Sequence, residues 1–298
     1  MEATESEMEG LLNNPQYYFF DQFIRATNNN HIRKRIFPSK EDLKKVNLDR
    51  AFEIYKERFH DCTDFKFVFV GNIDEETHLP LIAKYLGTLP GKGRKEQAKD
   101  IIIPNPTKTQ NLTFKKGLAP QSNVGIMFKA SFDGTLENAI KADAMGRILD
   151  IMVRENLRED KGGVYSPSVN TDVEKGHQNN VNTMVYFQCA PETADMLIEA
   201  VKDEVKSIQA NGGGEENLKK VQEMMLRERE TQLQNNAFWR SVFMREYTGT
   251  GKISDYTKFD EIVRSITLDD IKNMAKTSLD LNKVLTVKGE AEESATAP

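Results

Sequence analysis

Two stretches of this chain end alike. VNLDRAFEIYKERF, residues 46–59, leads into FKFVFVG at 65–71, and SITLDDIKNMAKTSL, residues 265–279, leads into KVLTVKG at 283–289. Each reads as a helix opening with Leu-Asp behind an Asn or Thr cap, followed by a β-rich run that closes on glycine. Leu48 and Leu268 lie 220 residues apart. That spacing is too long for a solenoid repeat and suits tandem copies of one whole domain. On this reading the first copy is present only as its tail. A chance match is the competing reading, because helix-then-strand endings recur throughout α/β proteins.

The rest of the chain supplies one complete set of elements for such a domain. At 298 residues it can bury a sizeable core in one large or two smaller units. Residues 8–27 have helical spacing and dissolve into three asparagines. Leu48–Phe59 reads as a helix capped by Asn47. Residues 65–71 read as a strand, and Asp74 opens a helix running to about residue 87. After the linker GTLPGKGRKEQ come two β-prone stretches, QNLTFKKG and SNVGIMFKASF, and a long helical pattern from Leu136 to Leu157. Val164–Val173 and Val181–Cys189 predict an antiparallel hairpin. A helix then begins at Pro191 and stops at NGGG, charged helical sequence fills 215–247, and two shorter helices precede the closing strand. The expected division is therefore a remnant of a preceding domain over 1–92, a complete domain over 93–290 and a disordered polar tail over 291–298.

Composition removes several function classes. The chain has 41 basic and 46 acidic residues, with no basic stretch interleaved with aromatics, so nucleic acid is not an expected partner. Neither a basic-then-apolar leader nor a run of membrane-spanning length is present. Cys62 and Cys189 lie outside any CxxC spacing and read as small core residues, not as a disulfide or a thiolate zinc site. The four histidines, His31, His60, His78 and His177, form no HxxH, HExxH or HxxEH arrangement. Glu57/His60 and Glu174/His177 have an ExxH spacing without an evident third ligand, and read as surface pairs. No GxSxG or phosphate-binding glycine loop appears, and Cys189 is a poor nucleophile candidate in a strand. Nothing in the chain suggests chemistry performed unaided.

One stretch asks for more than a structural explanation: RENLREDKGGVYSP, residues 154–167. Gly162 and Gly163 are explained as the cap of a helix before a strand. Arg158 and Tyr165 are explained less well, for a planar fork of donors ends the helix while a phenol begins the strand. Two donors converging on one cleft suit a peptide carbonyl.

LREDKGGVYSP resembles the Leu-Arg-…-Tyr-Ser signature in the C-terminal half of the pitrilysin/insulinase zinc metallopeptidases, whose arginine and tyrosine have the same separation. FKFVFVGNIDEE followed by LIAKYLGTLP is similar to the junction between two tandem domains of that family, most like its bacterial members, and the resemblance covers roughly residues 45–289. It implies an α+β fold of the mitochondrial-processing-peptidase-like (LuxS/MPP-like) type, with a mainly antiparallel sheet covered by helices. It implies that Arg158 and Tyr165 bind substrate, with Gly162 and Gly163 as a backbone hinge between them. Zinc is expected on a missing N-terminal half carrying HxxEH, in the same polypeptide or another subunit, and this chain alone is expected to bind no cofactor and to be non-catalytic. The expected partners are a peptide or protein substrate and that catalytic half, in a periplasmic or otherwise exported parent. The expected role is substrate binding and chamber formation. The alternative is a non-catalytic scaffold homologue of the same fold.

Overall fold

The computed structural model describes residues 2–96, 99, 101–160, 164–176, 178–249 and 251–292. The chain divides into two compact units. The larger comprises residues 1–37, 102–229 and 254–298, and the smaller residues 38–101 and 230–253.

The larger unit is built on a mixed sheet of five strands: β1 (Gln110–Lys115), β2 (Ser122–Ser131), β3 (Val164–Glu174), β4 (Asn180–Cys189) and β5 (Leu285–Glu290). Their order is β1-β5-β2-β4-β3. Only β1 with β5 runs parallel. The β2–β4, β2–β5 and β3–β4 pairs are antiparallel, so the mainly antiparallel sheet and the β3–β4 hairpin are as expected. Period-two alternation sorts the central strands between two faces. Val124, Ile126 and Phe128 of β2 and Val181, Val185, Phe187 and Cys189 of β4 enter the main core. Their alternates Met127, Met184 and Tyr186 face a second, smaller cluster.

Helices cover the first face. In chain order the helices are α1 (Glu2–Asn13), α2 (Pro15–Thr27), α3 (Lys40–Lys44), α4 (Leu48–Phe59), α5 (Glu75–Tyr85), α6 (Leu136–Arg154), α7 (Ala194–Asn211), α8 (Glu215–Leu233), α9 (Asn236–Gly249), α10 (Phe259–Ser265) and α11 (Leu268–Ser278), and those that enter the core on this face are α6, α7, α8, α10 and α11. α6 buries Ile140, Met145, Ile148, Leu149 and Val153, and α7 buries Leu197, Val201, Val205 and Ile208. The NGGG stop works through backbone conformation. Gly212, Gly213 and Gly214 have φ of 75°, 80° and 85°, where only glycine is unstrained. A Cβ at Gly213 would also lie 2.2 Å from Cγ2 of Ile148. Among the described residues no helix is long and apolar enough to cross a membrane.

The second face belongs to α2, and here the structure departs from the expected division at residue 92. Residues 1–37 join the larger unit because Phe19 and Phe23 are buried against the sheet with Leu285 and Val287. Two strand glycines make the seat: a Cβ at Gly125 would lie 2.7 Å from the Phe23 ring, and one at Gly289 would lie 2.8 Å from the Phe19 ring. The single helix expected over 8–27 is broken, since Asn14 caps α2 and Pro15 occupies its first turn.

The smaller unit contains α3, α4, α5 and α9. α4 and α5 begin where expected, with Asn47 accepting from the Arg50 amide and Asp74 from the Glu76 amide. The expected strand at 65–71 is not formed: the segment has no ladder partner among the described residues. A strand requires neighbours for its backbone N–H and C=O groups, and local β propensity cannot supply them. Phe67 and Phe69 are 48% and 52% exposed, whereas Leu285 and Val287 of β5, at the equivalent positions of the second copy, are 2% and 0% exposed. Likewise Ile54, Tyr55 and Phe59 of α4 are exposed, while Ile271, Met274, Ala275 and Leu279 are buried.

Asp61 ties this unit together. Its carboxylate is buried and accepts from the Thr63 amide and hydroxyl at 3.0 and 2.6 Å, and from the Lys92 and Arg94 amides at 3.0 and 3.1 Å. The Thr63 hydroxyl, then the Lys92 amide, hold it well below the usual carboxylate range. Arg94 in turn donates to the Glu57 and Arg58 carbonyls at the end of α4, each at 3.1 Å, and to Asp64 at 2.9 Å. The basic GKGR linker thus serves as a helix C-terminal cap. Of the polar tail expected over 291–298, Glu292 donates its amide to the Gly117 carbonyl at 2.7 Å, and residues 293–298 lie outside the described residues.

Candidate functional site

α6 does not end as a regular helix. It passes into a π-helical turn over Glu155–Asp160, whose Leu157 is buried in the core and whose Arg158 is exposed. Wider turns of this kind re-aim side chains, and a cation near a helix C-terminus sits favourably against the helix dipole. Gly162 and Gly163, the expected hinge, lie outside the described residues. Tyr165 follows in β3, an edge strand bonded, among the described residues, to β4 alone. A register shift between Tyr165 and Ser168 interrupts the ladder. Beyond it the strand is clamped to α6, with the Val169 amide donating to Asp150 at 2.8 Å and no room for a side chain at Gly146, whose Cβ would lie 2.2 Å from Oγ1 of Thr171. The π-helical turn packs against β3, so the elements carrying Arg158 and Tyr165 are held next to each other.

The register assigns Tyr165 a definite place. Phe114 pairs with Gly289, Gly289 with Asn123, Asn123 with Gln188, and Gln188 with Tyr165. These five positions form one row across the five strands, ending at the open edge of β3. A cleft of about 210 Å³ lies over this row at the start of α2, and the first four members line it. Within it, Oδ1 of Asn123 accepts from the Tyr186 hydroxyl and from Nε2 of Gln188, both at 2.8 Å. Burial pushes the Tyr186 phenol pKa up, which keeps the hydroxyl proton available for that bond.

Sequence reasoning missed Asn123 and Gln188. Alternation alone would send the alternate residues of β2 and β4 toward solvent, and no local signal showed that α2 covers them.

The other candidates are accounted for structurally. Among the described residues no three His, Cys, Asp or Glu side chains gather as metal ligands, so they do not fit a zinc site. His60 Nδ1 lies 2.9 Å from the Glu57 carbonyl, His78 bonds within the first turn of α5, and His177 lies outside the described residues. Cys189 is a core residue whose thiol pKa is raised by burial, while Cys62 is half-buried.

Comparison with known proteins agrees with this architecture. The chain is 26% identical over 220 residues to the zinc protease PQQL-like protein of Arabidopsis thaliana, covering 69% of this chain and 23% of that one. It is 22% identical over 223 residues to the probable zinc protease PqqL of Escherichia coli, covering 74% and 24% respectively. The crystal structure of the periplasmic protease PqqL from Escherichia coli superposes with a TM-score of 0.82 at 19% identity, over 98% of this chain and 32% of that one. The chain therefore spans about a quarter of the length of the curated relatives it matches. The family described as the Peptidase M16 inactive domain matches residues 45–225, more than half of the sequence, and the chain belongs to that family.

Proposed function

We propose that this chain is the substrate-binding and chamber-forming C-terminal region of a zinc metalloendopeptidase, with the metal carried by a companion catalytic half. The observation that carries the reading is the cross-sheet row that delivers Tyr165 to an open strand edge, beside the π-helical turn bearing Arg158. An extended peptide can add to such an edge through main-chain hydrogen bonds. Arg158 and Tyr165 would then hold the carbonyl oxygen of the bond to be cleaved. Their chemistry suits this role: the guanidinium offers a fixed fork of donors and the phenol a single one. Gly162 and Gly163 would supply the backbone freedom between them.

The same reading makes residues from about 45 to 92 the tail of a preceding domain. The exposure of Phe67 and Phe69, where the second copy buries Leu285 and Val287, supports it. The remainder of that domain and the catalytic half would then lie in sequence outside this chain or in a separate subunit, and an exported parent fits the periplasmic setting of the PqqL structure. The test is turnover by the assembled enzyme. Tyr165→Phe removes a donor to an oxygen that gains charge during attack, which costs on the order of 10²–10³ in kcat for oxyanion donors. Arg158→Lys replaces a planar fork by a point charge and lowers turnover as well. Wild-type turnover in both variants would end this reading.

A further inference from the structure

The cleft over the cross-sheet row has a donor and acceptor pattern that its own network fixes. Oδ1 of Asn123 receives two donors, which leaves its Nδ2 to donate elsewhere, and turning the Asn123 and Gln188 amides together exchanges their roles but still leaves one donor and one acceptor. Because Nε2 of Gln188 is one of those donors, its Oε1 is left to accept. Neither Nδ2 of Asn123 nor Oε1 of Gln188 has a partner among the described residues, and neither is sealed from solvent. The cleft therefore presents one donor and one acceptor from adjacent strands.

The surroundings select against charge. The start of α2 cannot hold an anion with its free amides, since Asn14 occupies those of Gln16 and Tyr17 and Pro15 has none. Of the two charges that line the cleft, Glu290 is paired with Lys288 at 3.5 Å and Lys116 sits over the Tyr18 ring, so each already has a partner. Phe19 and Phe114 supply apolar walls. A volume of about 210 Å³ is smaller than the roughly 300–1,000 Å³ of whole-ligand sites and suits a single side chain. Backbone could present N–H and C=O on one side only as an extended residue laid along the cleft, and the cleft is sized for a side chain. A primary carboxamide presents both on one edge.

We propose that this cleft is a recognition pocket for a carboxamide side chain, Gln or Asn, of the bound peptide. It rests on the peptide-binding reading above and adds a specificity to it, through Asn123 and Gln188 as recognition residues.

The experiment titrates the full chain with three pentapeptides, Ala-Ala-X-Ala-Ala with X as Gln, Glu or Leu, while following the side-chain amide signals of Asn123 and Gln188 by NMR. The Gln peptide binds about tenfold more tightly than the other two and shifts both amide signals, since each unsatisfied polar group left in the cleft weakens the complex. Gln188→Glu forces the Asn123 amide to turn, so that the cleft offers two acceptors. The preference for Gln then falls about tenfold and a Lys peptide gains. Equal binding of the three peptides, no binding by any of them, or binding that leaves both amide signals unmoved would overturn the proposal. A Gln preference that survives in an enzyme whose Tyr165→Phe variant keeps full turnover would sink only the catalytic reading. Loss of turnover in Tyr165→Phe with no Gln preference would sink only the pocket.

Discussion

Replacing Gly125 by alanine tests whether α2 is a built-in layer of the larger unit. The added Cβ would stand 2.7 and 2.8 Å from two atoms of the Phe23 ring and 3.2 Å from Cζ of Phe19. Both rings are essentially fully buried, so neither has open space into which to withdraw. Overpacking of this kind costs about 1–3 kcal/mol. Removing a strand glycine returns about 0.5–1 kcal/mol through chain entropy. The balance is a loss of up to about 2.5 kcal/mol, which for a domain of this size lowers the thermal midpoint by up to about 10 °C. Gly10→Ala is the control, because nothing lies within 4 Å of its Cβ and it sits inside α1, where alanine is favoured. Thermal unfolding by circular dichroism measures both. Phe23→Leu combined with Gly125→Ala is expected to cost about 1 kcal/mol less than the sum of the single changes, since the smaller side chain vacates the contested space. If Gly125→Ala raises the midpoint, Phe23 does not sit on that glycine and the assignment of residues 1–37 to the larger unit is wrong.

Gly213→Ala, strained at φ 80° and in collision with Ile148, is expected to cost about 2–4 kcal/mol, while Gly214→Ala, strained but unobstructed, costs about 1–2 kcal/mol; urea midpoints separate them. Val287→Thr places a hydroxyl in a fully buried site and costs about 1–3 kcal/mol, whereas Phe69→Thr in this chain stays within about 0.5 kcal/mol of wild type, and equal losses would contradict the difference in burial between the two copies. The carboxyl of Asp61 is depressed on folding, so its contribution is complete above the ordinary value near pH 4 and is lost only as the pH falls through its lower folded value. The amide shifts of Lys92 and Arg94 are therefore expected to stay constant from pH 7 to pH 4 and to move well below it. In Asp61→Asn the Arg94 amide loses its acceptor at every pH, and an Arg94 shift that titrates at the ordinary carboxylate value would refute the assignment.

Much of the fold could be read from local pattern, and the limits of that reading are physical. Asn47, Asp74 and Thr267 cap helices where their side chains suggested, because a cap depends on residues only three apart. The β3–β4 hairpin was equally local. FKFVFVG carries as strong a β signal as KVLTVKG, yet only the latter lies in a sheet, since pairing is decided by strands distant in sequence. The seat of α2 was hidden for the same reason. Gly125 and Gly289 make sense only once Phe19 and Phe23 arrive from more than a hundred residues away. At the site, the pattern singled out Arg158 and Tyr165, but the row joining Tyr165 to Gln188 and Asn123 exists only through register.

The placement of β5 has a consequence for biosynthesis. It is the last of the five strands to leave the ribosome, yet it stands between β1 and β2, and among the described residues β1 has no other neighbour. Until residue 290 has emerged, β1 is an unbonded segment, and the edge of β2 that β5 will occupy is open to any strand nearby. Closing the β1–β5 pair links residues about 175 positions apart, a long-range contact that forms slowly. A nascent chain stalled before Leu285 would therefore hold the β2–β4–β3 ladder and its helices but keep a sticky flank. Residues 285–290 thus decide when the sheet closes and its flank stops being a target for chaperones.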